Sequence, residues 1–167
     1  VWYYQYIPGE SFDLDESFEF VLADVDGVKS GFMMGKHAVL WQLDRQTGRL
    51  VRASDMGLQT VAEFDPERGF VRYREGVLKP LGESHFICPS QSGFKSWRAM
   101  AYHPTIETFV IPMSLTCGEH TYVPIERRVG AGGTGGTGRL NHYHTSDSTN
   151  IGQVLAVGVD GEIRWQH

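Results

Sequence analysis

Leu40-Trp41-Gln42-Leu43-Asp44-Arg45-Gln46-Thr47-Gly48-Arg49-Leu50-Val51 reads as a strand, a turn and a second strand. Apolar residues crowd both arms. The Asp-x-x-x-Gly between them carries the residue types that reverse a chain, a carboxylate that bonds nearby backbone and a glycine free to take positive φ. The unit recurs at Leu155-Ala156-Val157-Gly158-Val159-Asp160-Gly161-Glu162-Ile163-Arg164-Trp165, with a shorter turn, and Val1-Trp2 reads as the end of a third copy. Strand–turn–strand units ending on an apolar or Trp position are the pattern of propeller blades, each one four-stranded sheet. A blade takes ~40–45 residues and a closed ring needs at least about four. The 167 residues, with long insertions between copies, hold about two blades plus fragments. The expectation is an all-β partial β-propeller, one domain, starting and stopping in mid-pattern as a piece of a longer chain.

The rest of the sequence agrees. Short blocks of β-branched and aromatic residues punctuated by Gly, Pro or Asp predict strands at Phe18–Val25, Ser30–Met34, Val39–Leu43, Leu50–Ala53, Thr60–Phe64, Phe70–Tyr73, Arg98–Tyr102, Thr108–Pro112, Val154–Val159 and Ile163–Trp165. Asp26-Gly27 and Asp160-Gly161 are hairpin turns by composition, and Asp65-Pro66-Glu67-Arg68-Gly69 suggests a small excursion hairpin. Fifteen basic against 20 acidic residues give a net charge of −5, which offers no general support for a polyanion-binding surface and argues against nucleic acid as a partner. No run of 18 apolar residues exists, so no helical membrane span is expected.

Cys88 and Cys117 read equally as two core thiols or as a disulfide, since no CxxC or HxxxH supplies the further ligands of a zinc site. Gly130-Ala131-Gly132-Gly133-Thr134-Gly135-Gly136-Thr137-Gly138 contains a literal GxGxxG. Such a motif should follow a strand and open a helix, but the sequel Arg139-Leu140-Asn141-His142-Tyr143-His144 has no helical period and no P-loop Lys-Ser/Thr, so a Gly-rich insertion loop over about 129–150 is the expectation.

Three segments together carry a family resemblance. Cys88-Pro89-Ser90-Gln91-Ser92-Gly93-Phe94-Lys95-Ser96-Trp97-Arg98-Ala99-Met100-Ala101-Tyr102-His103-Pro104, followed by Thr108–Pro112 and Cys117, resembles the Cys-Pro-Ser, Gly turn, Lys-Asn-Trp and Met-Ala-Tyr-x-Pro run of the quinoprotein alcohol dehydrogenases. Trp2-Tyr3-Tyr4-Gln5-Tyr6-Ile7-Pro8-Gly9-Glu10-Ser11-Phe12-Asp13-Leu14-Asp15 resembles their Trp-x-Tyr-Gln-x-x-Pro followed by Trp-Asp. Gly35-Lys36-His37-Ala38-Val39-Leu40-Trp41-Gln42-Leu43-Asp44-Arg45-Gln46-Thr47-Gly48 resembles Gly-Lys-Asn-Gly-Phe-Leu-x-x-Leu-Asp-Arg-x-Thr-Gly. The likeness runs in order along nearly the whole chain apart from the Gly-rich insertion. It implies an internal fragment of a periplasmic, eight-bladed propeller that binds pyrroloquinoline quinone (PQQ), and it favours a Cys88–Cys117 disulfide.

What the resemblance implies for the site follows residue by residue. Asp13 matches the aspartate proposed as general base, and Phe12 replaces the tryptophan before it. Lys36 matches the Lys or Arg that hydrogen-bonds the reactive quinone oxygens. Ser96 stands where the family usually has a PQQ-contacting Asn, and the neighbouring Trp97 is kept. Asp15 lies where lanthanide-using members carry an extra metal-binding Asp, so the implied metal ligands are Asp15 and Asp13; calcium-dependent members usually have a smaller uncharged residue at the Asp15 position. The implied cofactors are PQQ and calcium or a lanthanide ion. The implied partners are a small alcohol and a cytochrome c that accepts electrons, with a homodimer among the assemblies it allows. The family's vicinal disulfide, Glu and Asn metal ligands and stacking Trp have no match here, so the fragment alone is expected to be inactive.

These residue types suit that chemistry. An alcohol must lose its hydroxyl proton as hydride leaves its carbon, which calls for a carboxylate base. A hard cation polarises a quinone carbonyl, and a trivalent one wants more anionic oxygen, as a second carboxylate supplies. An ammonium stabilises negative charge developing on the same oxygens. On the residues alone the readings are plainer. Asp13-Leu14-Asp15 is an acidic loop, Lys36 a strand-end lysine facing water, Trp97 and Trp165 core aromatics, and His142-Tyr143-His144 a solvated loop. For Trp165 blade packing is the reading kept. Two other functions fit the resemblance: a non-catalytic PQQ-repeat propeller serving as a binding scaffold, and a sugar or polyol quinoprotein dehydrogenase.

Overall fold

A computed structural model describes residues 1–65, 70–126, 128–130 and 137–167, with the backbone alone at Phe70, Thr137 and Gly138. The elements in chain order are β1 (Val21–Val25), β2 (Val28–Met34), β3 (Val39–Asp44), β4 (Leu50–Asp55), β5 (Ala62–Asp65), β6 (Phe70–Tyr73), β7 (Ser84–Ile87), β8 (Ala101–His103), β9 (Thr108–Ser114), β10 (Thr116–Tyr122), β11 (Thr137–Tyr143), β12 (Gly152–Gly158) and β13 (Ile163–Gln166). Every strand pairing is antiparallel. Among the described residues no helix is long and apolar enough to cross a membrane.

Turn chemistry builds the first sheet, β1-β2-β3-β4. Asp26 and Gly27 both take positive φ, 50° and 77°, the mirror-image turn whose twist matches a tight hairpin, and Val25 pairs with Val28 across it. Between β3 and β4 the Asp44 carboxylate accepts from the Gln46 and Thr47 N–H groups at 2.7 and 3.2 Å, while Gly48 closes the turn at φ 77°. Those bonds, the Gln46 N–H first, hold the Asp44 carboxyl below its ordinary pKa. The second sheet, β13-β12-β9-β8, repeats the meander, with β10 and β11 inserted between its middle strands. The inserted pair joins β7 in the sheet β11-β10-β7, and β5 and β6 form a separate hairpin.

The two four-stranded sheets pack face to face. Alternation puts Phe32, Met34 and Leu40 of the first and Phe109, Ile111, Met113, Leu155 and Val157 of the second into one core, with the Phe32 and Phe109 rings 4.9 Å apart. The opposite face of the first sheet, Met33, Val39 and Trp41, is covered by Ile7, Tyr4 and Tyr6 and by the β5–β6 hairpin through Ala62, Phe64 and Val71. This is the stacking of two successive blades, and all ten expected strands overlap observed ones.

Differences from the sequence reading concern the insertion. No strand was expected at β7, β10 or β11, and Thr137–Tyr143 of the supposed Gly-rich loop is β11; residues 131–136 lie outside the described residues, as do 66–69 of the excursion turn. His144 is not in a solvated loop but 6% exposed, because its ring donates from Nε2 to the Leu58 carbonyl at 2.8 Å and accepts at Nδ1 from the Ser146 N–H at 3.1 Å. Trp165 is half exposed rather than packed inside the blade, since β13 is an edge strand with β12 as its one neighbour among the described residues. Trp97 is not a core aromatic either, being 91% exposed.

Candidate functional site

The segment before β1 sets its own pattern of in and out. Phe12, Leu14 and Glu16 are buried, and Asp13 and Asp15 between them point outward. Phe12 anchors the segment among the rings of Tyr73, His85 and Tyr122 at 5.7, 5.7 and 5.9 Å. Asp13 sits at φ 65°, in the left-handed region that Asp tolerates better than most residues. Such a conformation in a non-glycine residue concentrates at functional sites.

Lys36 comes from the turn between β2 and β3. That turn is tied to the acidic segment by the Lys36 N–H to the Asp15 carbonyl at 3.1 Å and by the buried Glu16. One Glu16 oxygen accepts the His37 N–H at 2.9 Å and meets His37 Nδ1 at 2.9 Å; the other accepts the Trp41 Nε1–H at 2.8 Å. Gly35 has no room for a side chain, because a Cβ there would stand 2.7 Å from the Glu16 backbone. The Lys36 ammonium is thereby held against the Asp13 carbonyl at 2.5 Å, the Asp15 carboxylate at 2.9 Å and the Asp13 carboxylate at 3.9 Å. Lys36 is 8% exposed, so it is no strand-end lysine facing water, whereas the two carboxylates remain open to solvent.

The Cys88–Lys95 loop backs the cluster from the other side. Cys88 is disulfide-bonded to Cys117 in β10, the pairing the resemblance implied. Ser90 donates its N–H to the Thr116 carbonyl at 2.7 Å, and the Phe94 N–H bonds the Lys36 carbonyl at 2.9 Å. Gly93, at φ 76°, lies so close that an added Cβ would fall 2.2 Å from Lys36 Cγ. From this loop the Gln91 side-chain amide donates to Asp13 Oδ2 at 2.6 Å.

Asp13, Asp15 and Lys36 thus converge. Ser96 and Trp97 do not join them: Ser96 is half-buried, and Trp97 packs edge-to-face on Phe18 at 5.8 Å. The fully buried Lys95 before them pairs with Glu19 at 2.5 Å and lies 5.0 Å over the Phe18 ring. Burial pushes the Tyr122 phenol up to about 12, helped by the Glu10 and Asp13 carboxylates, so the wall beside Asp13 stays neutral. A cleft of about 1010 Å³, lined by Leu58, Arg98, Met113, Asp147 and Gln166 among others, contains none of the clustered residues. Cys88, Cys117 and His144 also lie together, but the disulfide removes both thiolates as metal ligands.

Gln91 and Glu16 escaped the sequence reading. For Glu16 a signal exists, since its period-two spacing from Phe12 and Leu14 marks it as inward-facing. Gln91 reaches Asp13 across 78 residues, and nothing local announces it.

The chain is 25% identical over 181 residues to the quinoprotein ethanol dehydrogenase of Pseudomonas aeruginosa, covering 99% of this chain. It is 31% identical over 116 residues, 66% of its length, to the quinohemoprotein alcohol dehydrogenase ADH IIB of Pseudomonas putida. The chain is a relative of the quinoprotein alcohol dehydrogenases. It spans 29% of the Pseudomonas aeruginosa relative's length and 17% of the Pseudomonas putida one's. Among solved structures, a europium-containing methanol dehydrogenase superposes with a TM-score of 0.88 at 22% identity, over 98% of this chain and 30% of that one. That likeness establishes the fold: an all-β piece of the dehydrogenase propeller. No family model matches the chain.

Proposed function

We propose that the chain forms the proton-accepting and cation-binding corner of a periplasmic, PQQ-dependent dehydrogenase that oxidises a primary alcohol or related hydroxyl compound to the aldehyde and passes electrons to a cytochrome c. The observation that carries this reading is the meeting of Asp13, Asp15 and Lys36, drawn from two segments that both resemble the family's site.

The residues suit the group they would hold. Two solvent-open carboxylates offer hard oxygens to calcium or a lanthanide. The ammonium, already gathering oxygens at 2.5 and 2.9 Å, is a donor for quinone oxygens. When bound, PQQ with its metal ion supplies the two-electron acceptor and the Lewis acid. Asp13 takes the hydroxyl proton as the substrate carbon gives up hydride, leaving the aldehyde. Lys36 would steady negative charge on the quinone oxygens, and Asp15 would add the second anionic ligand, which favours a trivalent ion. The europium-containing neighbour supports that preference. Ser96 and Trp97 would meet the cofactor from the segment after Lys95.

The test is uptake of PQQ by the intact protein in the presence of calcium or lanthanum, followed by visible absorbance after gel filtration. Retention of PQQ that falls at least tenfold in Lys36→Ala supports the reading. Absence of uptake with either ion overturns it and leaves a propeller that acts as a binding scaffold.

A further inference from the structure

Asp13 offers two carboxylate oxygens, and the structure treats them differently. Oδ2 accepts the Gln91 amide at 2.6 Å and is the oxygen 3.9 Å from Lys36 Nζ. Oδ1 accepts no hydrogen bond among the described residues. Gln91 itself is 9% exposed, and its own Oε1 is buried without a partner among the described residues. The bond to Asp13 is therefore what orients the amide, because a flipped amide would set oxygen against carboxylate oxygen.

The amide is carried on a firm support. The loop that bears it is joined to β10 by the Cys88–Cys117 disulfide and by two bonds from Ser90 to Thr116, at 2.7 Å from N–H to carbonyl and 2.9 Å between hydroxyls. It is joined to the Lys36 turn by the Phe94 N–H. A donor fixed in this way sets both the position and the rotation of a carboxylate that stands on a left-handed backbone residue.

Resting on the dehydrogenase reading above, we infer that Gln91 is the positioning residue for Asp13: its amide locks Oδ2 and leaves Oδ1 as the atom that receives the substrate's hydroxyl proton. Gln91 touches neither substrate nor cofactor in this role; it acts through Asp13. Displacement of a reacting group by about 1 Å costs on the order of 100-fold in rate, so loss of this donor falls on turnover more than on binding.

The experiment uses the intact protein, labelled with ¹⁵N-glutamine and reconstituted with PQQ and lanthanum. A charge-assisted bond shifts one Gln91 amide proton downfield, and Asp13→Asn returns it to the ordinary position. Gln91→Met, which keeps the volume and removes the donor, is expected to lower kcat by about 10- to 100-fold with KM within about twofold. An amide signal that ignores Asp13→Asn overturns the inference whatever the activity, and so does full kcat in Gln91→Met. A wild type that oxidises no alcohol while its amide still responds to Asp13→Asn overturns the dehydrogenase reading and, with it, the assignment of Oδ1 as proton acceptor.

Discussion

Removing the Glu16 carboxylate tests how the Lys36 turn is held. Glu16 is the common acceptor for the His37 N–H, the His37 ring and the Trp41 indole, at 2.9, 2.9 and 2.8 Å, and both His37 and Trp41 are fully buried. In Glu16→Ala the backbone N–H and the indole N–H each become buried donors without a partner, costing about 1–3 kcal/mol apiece. The imidazole loses its Nδ1 partner as well, and moving its proton to Nε2 regains nothing, because that atom has no partner among the described residues. From these two N–H groups alone the expected loss is about 2–6 kcal/mol, a large share of the roughly 5–15 kcal/mol that holds a typical domain folded. Urea unfolding followed by Trp fluorescence reads it as a midpoint drop of roughly 1–3 M at an unchanged slope of about 2 kcal/mol per M. Glu16→Gln, which keeps the shape and one acceptor oxygen, falls between the two. A loss under about 1 kcal/mol in Glu16→Ala would refute the reasoning.

Three further outcomes follow from the same structure. Gly93→Ala forces a Cβ onto a left-handed residue and within 2.2 Å of Lys36 Cγ, so a loss of at least about 1–2 kcal/mol is expected in urea unfolding, together with weaker PQQ retention. Reduction of Cys88–Cys117, which spans a sequence separation of 29, removes about 3–4 kcal/mol on the chain-entropy view, read as a fall in the unfolding midpoint under dithiothreitol. His120 is held below the ordinary histidine pKa by burial, then by the Arg139 charge and His85. The unfolded chain therefore binds the proton first, and this contribution is complete above about pH 6.5 and lost as pH falls from there toward the folded pKa. Unfolding midpoints at pH 8 and 5.5 should diverge more in wild type than in His120→Gln, and equal divergence would count against the burial argument.

Local chemistry made most of the blades legible. Asp26-Gly27 and Asp44-Arg45-Gln46-Thr47-Gly48 each determine a turn within a few residues, and the period-two burial of Phe32, Met34, Phe109, Ile111 and Met113 is written in their alternation. The inserted strands were not legible, because they are defined by distant partners. β10 is Thr-Cys-Gly-Glu-His-Thr-Tyr, with no apolar alternation, and becomes a strand by pairing with β7 on one side and β11 on the other. His144 was misjudged for the same reason: its burial depends on a carbonyl 86 residues away, at Leu58. The resemblance supplied Asp13, Asp15 and Lys36, and the geometry brings them together. Ser96 and Trp97, supplied in the same way, stand apart from that cluster because the segment turns outward after the buried Lys95.

The most direct measurement is dye-linked alcohol oxidation by the intact protein, reconstituted with PQQ and either calcium or lanthanum. The structure, with a second carboxylate at Asp15 beside Lys36, predicts turnover that is greater with lanthanum and lost with that ion in Asp15→Ala. No turnover with either ion, or lanthanum-supported turnover unaffected by both Asp13→Asn and Asp15→Ala, would contradict the assignment of this cluster as the reacting centre.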